Sequence, residues 1–151
     1  DIQFIWQTGK YYYPQVTEAV RAAGKLPNLY VTDFIKDMAA AYAASDLVIS
    51  RAGAGSISEF CLLHKPVVLV PSPNVAEDHQ TKNALALVDK QAAIYVKDSE
   101  AEAKLMDVAL KTVADDQKLK ELSDNIAKLA LPDSARIIAQ EVIKLAEAEN
   151  K

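Results

Sequence analysis

Leu47-Val48-Ile49-Ser50-Arg51-Ala52-Gly53-Ala54-Gly55-Ser56-Ile57-Ser58-Glu59 decides the fold. A short apolar run gives way to a turn with two glycines and then to a helical period. An apolar strand without polar alternation is covered on both faces, which is the habit of parallel sheets. Glycines let a ligand approach the backbone, and the free amides at a helix N-terminus attract anions. Ser56 and Glu59 stand in the S-x-x-E spacing of a capping box, with Ser56 as the N-cap.

Outward from this stretch the same alternation repeats. Ile2 to Gln7, Leu29 to Thr32, Val67 to Val70 and Ala93 to Val96 read as further strands. Tyr13 to Ala23 reads as a helix ended by Gly24, followed by helices at Asp37 to Ala44, Ser56 to His64 and His79 to Lys90. Pro71 and Pro73 stop the strand before them. From about Glu100 onward only helical periodicity remains, broken near Ala114-Asp115-Asp116 and at Leu131-Pro132-Asp133. The charges Lys118, Lys120, Glu121, Lys128, Glu141 and Lys144 suit the solvated faces of packing helices. Strands separated by helices imply an α/β fold, a doubly wound parallel sheet of Rossmann-like form with extra C-terminal helices. Ligands bind such sheets beyond the carboxyl ends of the strands, so the loops after Thr32, Ser50 and Val70 carry the function.

The chain has 151 residues, enough for one domain with a core of its own. Its net charge of -4 and scattered Lys and Arg argue against nucleic acid, which needs a clustered basic surface. A single cysteine, Cys61, excludes an internal disulfide and fits a reducing compartment. No apolar run approaches the roughly 18 residues of a membrane helix. The chain opens on a strand and without Met, which is expected of a piece of a longer protein.

Three readings compete for the glycine turn. The glycines could simply make a tight turn while Glu59 caps the helix. Gly53-x-Gly55 could begin a dinucleotide loop, but Ser58 replaces the third glycine and the next strand ends at Val70-Pro71-Ser72 without an acidic residue for a ribose. Or Glu59 could face a nucleotide sugar and accept from its ribose. In the loop after Val70, Asn74, Glu77, Asp78, His79, Gln80 and Asn83 supply sugar-type donors and acceptors, and Asp78 suits an N-cap. In the loop after Thr32, Phe34, Ile35 and Met38 could receive a planar base or cover the core. Cys61 and His64 lie one turn apart on an apolar helix, a setting that favours core packing over a metal site. No G-x-S-x-G motif or recognisable triad is present.

Together the three loops resemble the donor-binding half of the MurG-type N-acetylglucosaminyltransferases. The resemblance runs through Phe34-Ile35-Lys36-Asp37-Met38, Asp46 to Ala54 with Ser58-Glu59, Pro66 to Pro71, and Asp78-His79-Gln80-x-x-Asn83-Ala84. It implies two Rossmann-like domains facing a cleft, the GT-B arrangement, and inverting transfer of N-acetylglucosamine from UDP-GlcNAc to lipid I. On that resemblance residues 1–151 form a single donor-binding domain without its first strand and glycine-rich loop. The N-terminal acceptor domain and its catalytic base are absent, so no catalytic residue is expected here and the chain alone should be inactive. The resemblance assigns Ile35 backbone groups to uracil, with Phe34 and Met38 lining that pocket, and Glu59 to the ribose. It brings Gly53 and Ala54 near the sugar, Ser56 near the diphosphate, and His79 and Gln80 to the GlcNAc hydroxyls. Arg51 and Asn83 would support the site. Neither a cofactor nor an obligatory metal is implied, and the complete protein would sit peripherally at the cytoplasmic face of the bacterial membrane. Rival expectations are a stand-alone donor subunit like that of the eukaryotic dolichol-linked transferase, a sugar-nucleotide epimerase, and a non-catalytic α/β module.

Overall fold

The computed structural model describes residues 2–74 and 78–149. It divides into two compact units, residues 1–45 and 46–151.

The first unit contains β1 (Phe4–Gln7), α1 (Gly9–Ala23), β2 (Leu29–Thr32) and α2 (Met38–Ala44). The strands pair in parallel with Phe4 opposite Leu29 and Gln7 opposite Thr32. Helix α1 begins four residues before the expected Tyr13. Pro14 suits a first helical turn. Here it sits inside the helix, and the Thr17 hydroxyl donates to the carbonyls of Tyr13 and Pro14, each at 2.9 Å. Asp37 caps α2 by accepting the Ala40 amide at 2.9 Å. None of the described residues of this unit is fully buried.

The second unit contains β3 (Val48–Ser50), α3 (Ala54–Leu63), β4 (Val67–Leu69), α4 (His79–Val88), β5 (Ile94–Tyr95), α5 (Asp98–Val113), α6 (Asp116–Ala127) and α7 (Ser134–Glu149). Its three strands are parallel in the order β3-β4-β5. The central strand is buried at every residue, as its Val-Val-Leu run demands. The sequence also suggested a buried strand at Leu47 to Ser50. Instead β3 is an edge strand of this sheet, with Ile49 39% exposed. Val68, Val70 and Val96 form a core against which Leu105 and Val108 of α5 pack. Phe60 of α3 and Leu122 and Ile126 of α6 are also fully buried, where α6 meets α3 and α5.

The C-terminal helices divide in behaviour. Helices α5 and α6 pack as expected, whereas α7 is exposed along its described length, including Ile138 at 64% and Leu145 at 68%. The expectation of a third packing helix is therefore corrected. Spacing in the sequence sets an apolar face but not what covers it.

Candidate functional site

Two short strands, β3 and β4, deliver the loops of the second unit to one another. The Val70 amide donates to the Ser50 carbonyl at 2.9 Å, carrying the pairing just past the strand ends. Beyond that point the backbone leaves the ladder and side chains take over. Arg51 donates through Nη1 to the carbonyls of Val70 at 3.1 Å and Pro71 at 3.3 Å. The same guanidinium forms an ion pair with Asp98, the first residue of α5. Arg51 thus ties together the loops after β3, β4 and β5.

The first turn of α4 clamps the glycine turn. Gln80 Oε1 accepts the amides of Ala52 at 3.2 Å and Ser72 at 2.9 Å. Asn83 Nδ2 donates to the Ala52 carbonyl at 3.1 Å. Ala52 itself is wholly buried, so both of its backbone polar groups are satisfied by α4 side chains and not by the sheet. A buried peptide group without partners would cost about 1–3 kcal/mol per group. Gln80 was expected on the sugar. With its carbonyl oxygen engaged twice, its amide nitrogen is the group left to donate to a ligand.

Helix α3 begins at Ala54 with Gly53 as its N-cap, and no side chain caps it. The proposed capping box is therefore not formed: Ser56 is the third residue of the helix, and Glu59 lies in its second turn. The shift follows from Gly53, whose extended backbone (φ -69, ψ 139) is itself a good N-cap conformation. The amides of Ala54, Gly55 and Ser56 precede the first intrahelical bond, in which Ile57 donates to the Gly53 carbonyl at 3.0 Å. Neither glycine is required by the fold: Gly53 and Gly55 have no left-handed φ, and a Cβ added at either meets nothing within 4 Å. Uncapped amides at a helix N-terminus, with open space beside them, favour an anion. That observation weighs against a turn in which glycine serves geometry alone.

Asp78 does stand at the N-cap position of α4, but in the left-handed region (φ 55) and without a capping bond from its side chain. His79 and Glu59 are both exposed, as a ligand-facing residue must be. Glu77 of the same polar loop lies outside the described residues. Cys61 is buried, and burial pushes its thiol above the ordinary value. His64 ends α3 in the left-handed region and is exposed, so it does not pack in the core beside Cys61. Among the described residues no group of three or more His, Cys, Asp or Glu is arranged to hold a metal ion.

One feature here was not legible in the sequence. A cavity of about 300 Å³ opens where the loops after β4 and β5 meet the start of α4, lined by Pro71, Asp78, Thr81, Tyr95, Lys97 and Asp98 among others. Of these the sequence singled out only Asp78, as a sugar-type donor or acceptor and an N-cap. Position after a parallel strand, the signal applied to the loops after Thr32, Ser50 and Val70, was not extended to the loop after β5.

The first unit carries the remaining candidates. The loop 33–37 after β2 is held by three side chains in succession. Thr32 Oγ1 donates to the Phe34 carbonyl at 3.1 Å, Gln7 Oε1 accepts the Ile35 amide at 2.8 Å, and Asp37 caps α2. Phe34 is 61% exposed, so it does not cover a core, while Ile35 and Met38 are half-buried. Gln7, at the end of β1, was missed because a lone glutamine at a strand end carries no pattern.

Parallel strands feeding glycine-bearing or polar loops into helix N-termini define a Rossmann-like α/β class of protein. Within that class the assignment is specific. The model of the glycosyltransferase family 28 C-terminal domain matches residues 1–138, and the chain belongs to that family. Its relatives include UDP-N-acetylglucosamine–N-acetylmuramyl-(pentapeptide) pyrophosphoryl-undecaprenol N-acetylglucosamine transferases. That of Bacteroides thetaiotaomicron is 97% identical over 99% of this chain and 40% of its own length. That of Phocaeicola vulgatus is 68% identical over 99% of this chain and 40% of its own. The crystal structure of Acinetobacter baumannii MurG superposes with a TM-score of 0.80 at 32% identity, covering 93% of this chain and 40% of that one. The glycosyltransferase VinC, solved in complex with dTDP, shares the fold at 19% identity and a TM-score of 0.73, over 98% of this chain and 35% of its own. The chain spans about 40% of the length of the curated relatives it matches.

Proposed function

We propose that this chain is the donor-binding part of a glycosyltransferase that moves N-acetylglucosamine from UDP-GlcNAc to lipid I, forming lipid II for peptidoglycan synthesis. The observation that carries this reading is the 97% identity, over 150 residues, to a protein whose name states that transfer. The uncapped amides at the start of α3 support it, because the leaving group is a diphosphate whose negative charge grows as the glycosidic bond breaks.

Each candidate then takes a role in one donor. Ile35 offers its backbone groups to uracil, with Phe34 and Met38 lining that pocket. Glu59 accepts from the ribose hydroxyls. The amides following Gly53, with Ala54 and Ser56, meet the diphosphate and sugar. His79 and the amide nitrogen of Gln80 bond the GlcNAc hydroxyls, while Arg51 and Asn83 hold the loops that present them. In this reading residues 1–151 act as one donor domain. The rest of a polypeptide of the relatives' length supplies lipid I recognition and the base that deprotonates the acceptor hydroxyl, giving inversion at the anomeric carbon.

Among the described residues no helix is long and apolar enough to cross a membrane. A lipid-linked acceptor supports peripheral attachment of the complete protein at the cytoplasmic face of the bacterial membrane. The test is transfer of labelled GlcNAc from UDP-GlcNAc to a lipid I analogue by a polypeptide of the relatives' full length containing this chain. Label in lipid II is the expected result. A folded polypeptide that hydrolyses or ignores UDP-GlcNAc, without labelling the acceptor, overturns it.

A further inference from the structure

The cavity of about 300 Å³ in the second unit adjoins the residues proposed for the donor sugar but opens on another face of α4. Asp78 and Thr81, three residues apart across the first turn, share that face and line it. Gln80, between them, instead turns its carbonyl oxygen to the amides of Ala52 and Ser72. Pro71, Pro73 and Tyr95 give the cavity apolar walls, and Thr81 and Ser99 bring hydroxyl groups. Its charges are of both signs: Asp78 and Lys97 are exposed, and Asp98 is paired with Arg51. In the strand order β3-β4-β5 the proposed diphosphate site follows β3 and the proposed sugar site follows β4. The cavity, between the loops after β4 and β5, is next in line on the side away from the diphosphate.

We infer that this cavity receives the peptide of the acceptor, so that the donor half also reads part of the second substrate. The inference rests on the transfer to lipid I proposed above. Beside its reacting sugar, the acceptor in the relatives' name carries a pyrophosphate, an undecaprenol chain and a pentapeptide. A pyrophosphate would meet two lining carboxylates, Asp78 and Asp98, against the single lining cation Lys97, and like charges brought together cost affinity. A prenyl chain would bury the polar side chains of this short cavity without partners, which is also costly. A peptide uses every feature. Thr81 and Ser99 bond its amide groups, the proline and tyrosine rings cover a small side chain, and Lys97 pairs with a carboxylate. The cavity is at the small end of ligand pockets, so it takes a short stretch of the peptide while the sugar ring stays at the reacting centre.

The experiment measures GlcNAc transfer by a polypeptide of the relatives' full length containing this chain, each substrate varied in turn. Two lipid I analogues serve as acceptors, one with the pentapeptide and one without it. Lys97→Ala removes the cation, and Ser99→Phe fills the cavity from an exposed position. The unsubstituted polypeptide is expected to show the lower KM for the pentapeptide acceptor. Lys97→Ala should raise that KM about 3-fold, the scale of an exposed ion pair. Ser99→Phe should raise it about 10-fold by excluding the peptide. Neither should change KM for the peptide-free acceptor or for UDP-GlcNAc, a split that general damage to the fold does not produce. Equal rises with both acceptors, or none with either, overturn the inference and leave the donor site standing. An unsubstituted polypeptide that uses both acceptors alike does the same. No transfer to either acceptor overturns the proposed function, and this inference with it.

Discussion

Gln80, in the first turn of α4, accepts the backbone amide of Ala52 at 3.2 Å, 28 residues earlier in the chain. The same oxygen accepts Ser72 at 2.9 Å, so one side chain fixes the glycine turn against the loop after β4. In the proposed donor site, structure and ligand recognition meet in this single carboxamide, and two substitutions separate them. Gln80→Leu removes both acceptor bonds and is expected to cost about 2–4 kcal/mol, since each orphaned buried amide costs about 1–3. A fall in the urea midpoint without a change in slope measures it. Gln80→Glu keeps an acceptor oxygen but loses the amide hydrogens. It should retain most of the stability while weakening UDP-GlcNAc binding by about 10-fold, the scale of one lost donor.

Gly55 gives the opposite pattern. It lies in the first turn of α3 with open space where a Cβ would stand. Gly55→Ala is expected to leave the fold unharmed or to stabilise it by about 0.5–1 kcal/mol, because alanine loses less backbone freedom in a helix. Donor affinity should nevertheless fall, since the new methyl group occupies the space beside the helix amides. Thermal unfolding and calorimetry on the same variant check both halves. Unchanged affinity removes Gly55 from the site.

Ser56 and Glu59 are separated by the same logic. Ser56 is the third residue of α3 and does not cap it. Ser56→Ala should therefore change stability by less than about 0.5 kcal/mol, against about 1 for a lost N-cap. Glu59→Ala should weaken UDP-GlcNAc binding by about 10- to 100-fold, as a hydrogen bond to a charged group is the stronger kind. Competition by UDP and by uracil-free sugar phosphates shows whether the loss belongs to the nucleoside.

Cys61 predicts a pH dependence. Burial raises its thiol above the ordinary value of 9.0. As pH rises past that value the unfolded chain gives up its proton first, so unfolding becomes more favourable and stability falls; below it the thiol is protonated in both states and contributes no slope. Cys61→Ala should flatten this alkaline decline in the urea midpoint. A thiol reagent at pH 8 should label Cys61 slowly in buffer and rapidly in urea.

Much of this architecture is visible in the sequence because its causes are local. The unbroken apolar run Val67-Val-Leu-Val70 could only be a covered strand, and the loops that follow such strands are where ligands bind. The start of α3 was misplaced by two residues because serine is the more familiar cap, yet Gly53 already holds the extended backbone a cap requires. The roles of Gln7, Gln80 and Asn83 as loop clamps were hidden for a different reason. Each joins a side chain to a backbone group 8 to 31 residues away, and such bonds leave no periodicity in the sequence. The exposed face of α7 was also illegible, because an apolar stripe reads the same whether covered or bare.

The central claim is a donor site for UDP-GlcNAc. Its most direct test is calorimetric titration of UDP-GlcNAc, with UDP-glucose as control, into this chain and into a polypeptide of the relatives' full length that contains it. Saturable binding selective for the N-acetyl sugar, and tighter in the longer polypeptide, is the expected result. No saturable heat from the folded, full-length polypeptide would contradict the account and leave the glycine turn as a structural element of an α/β module.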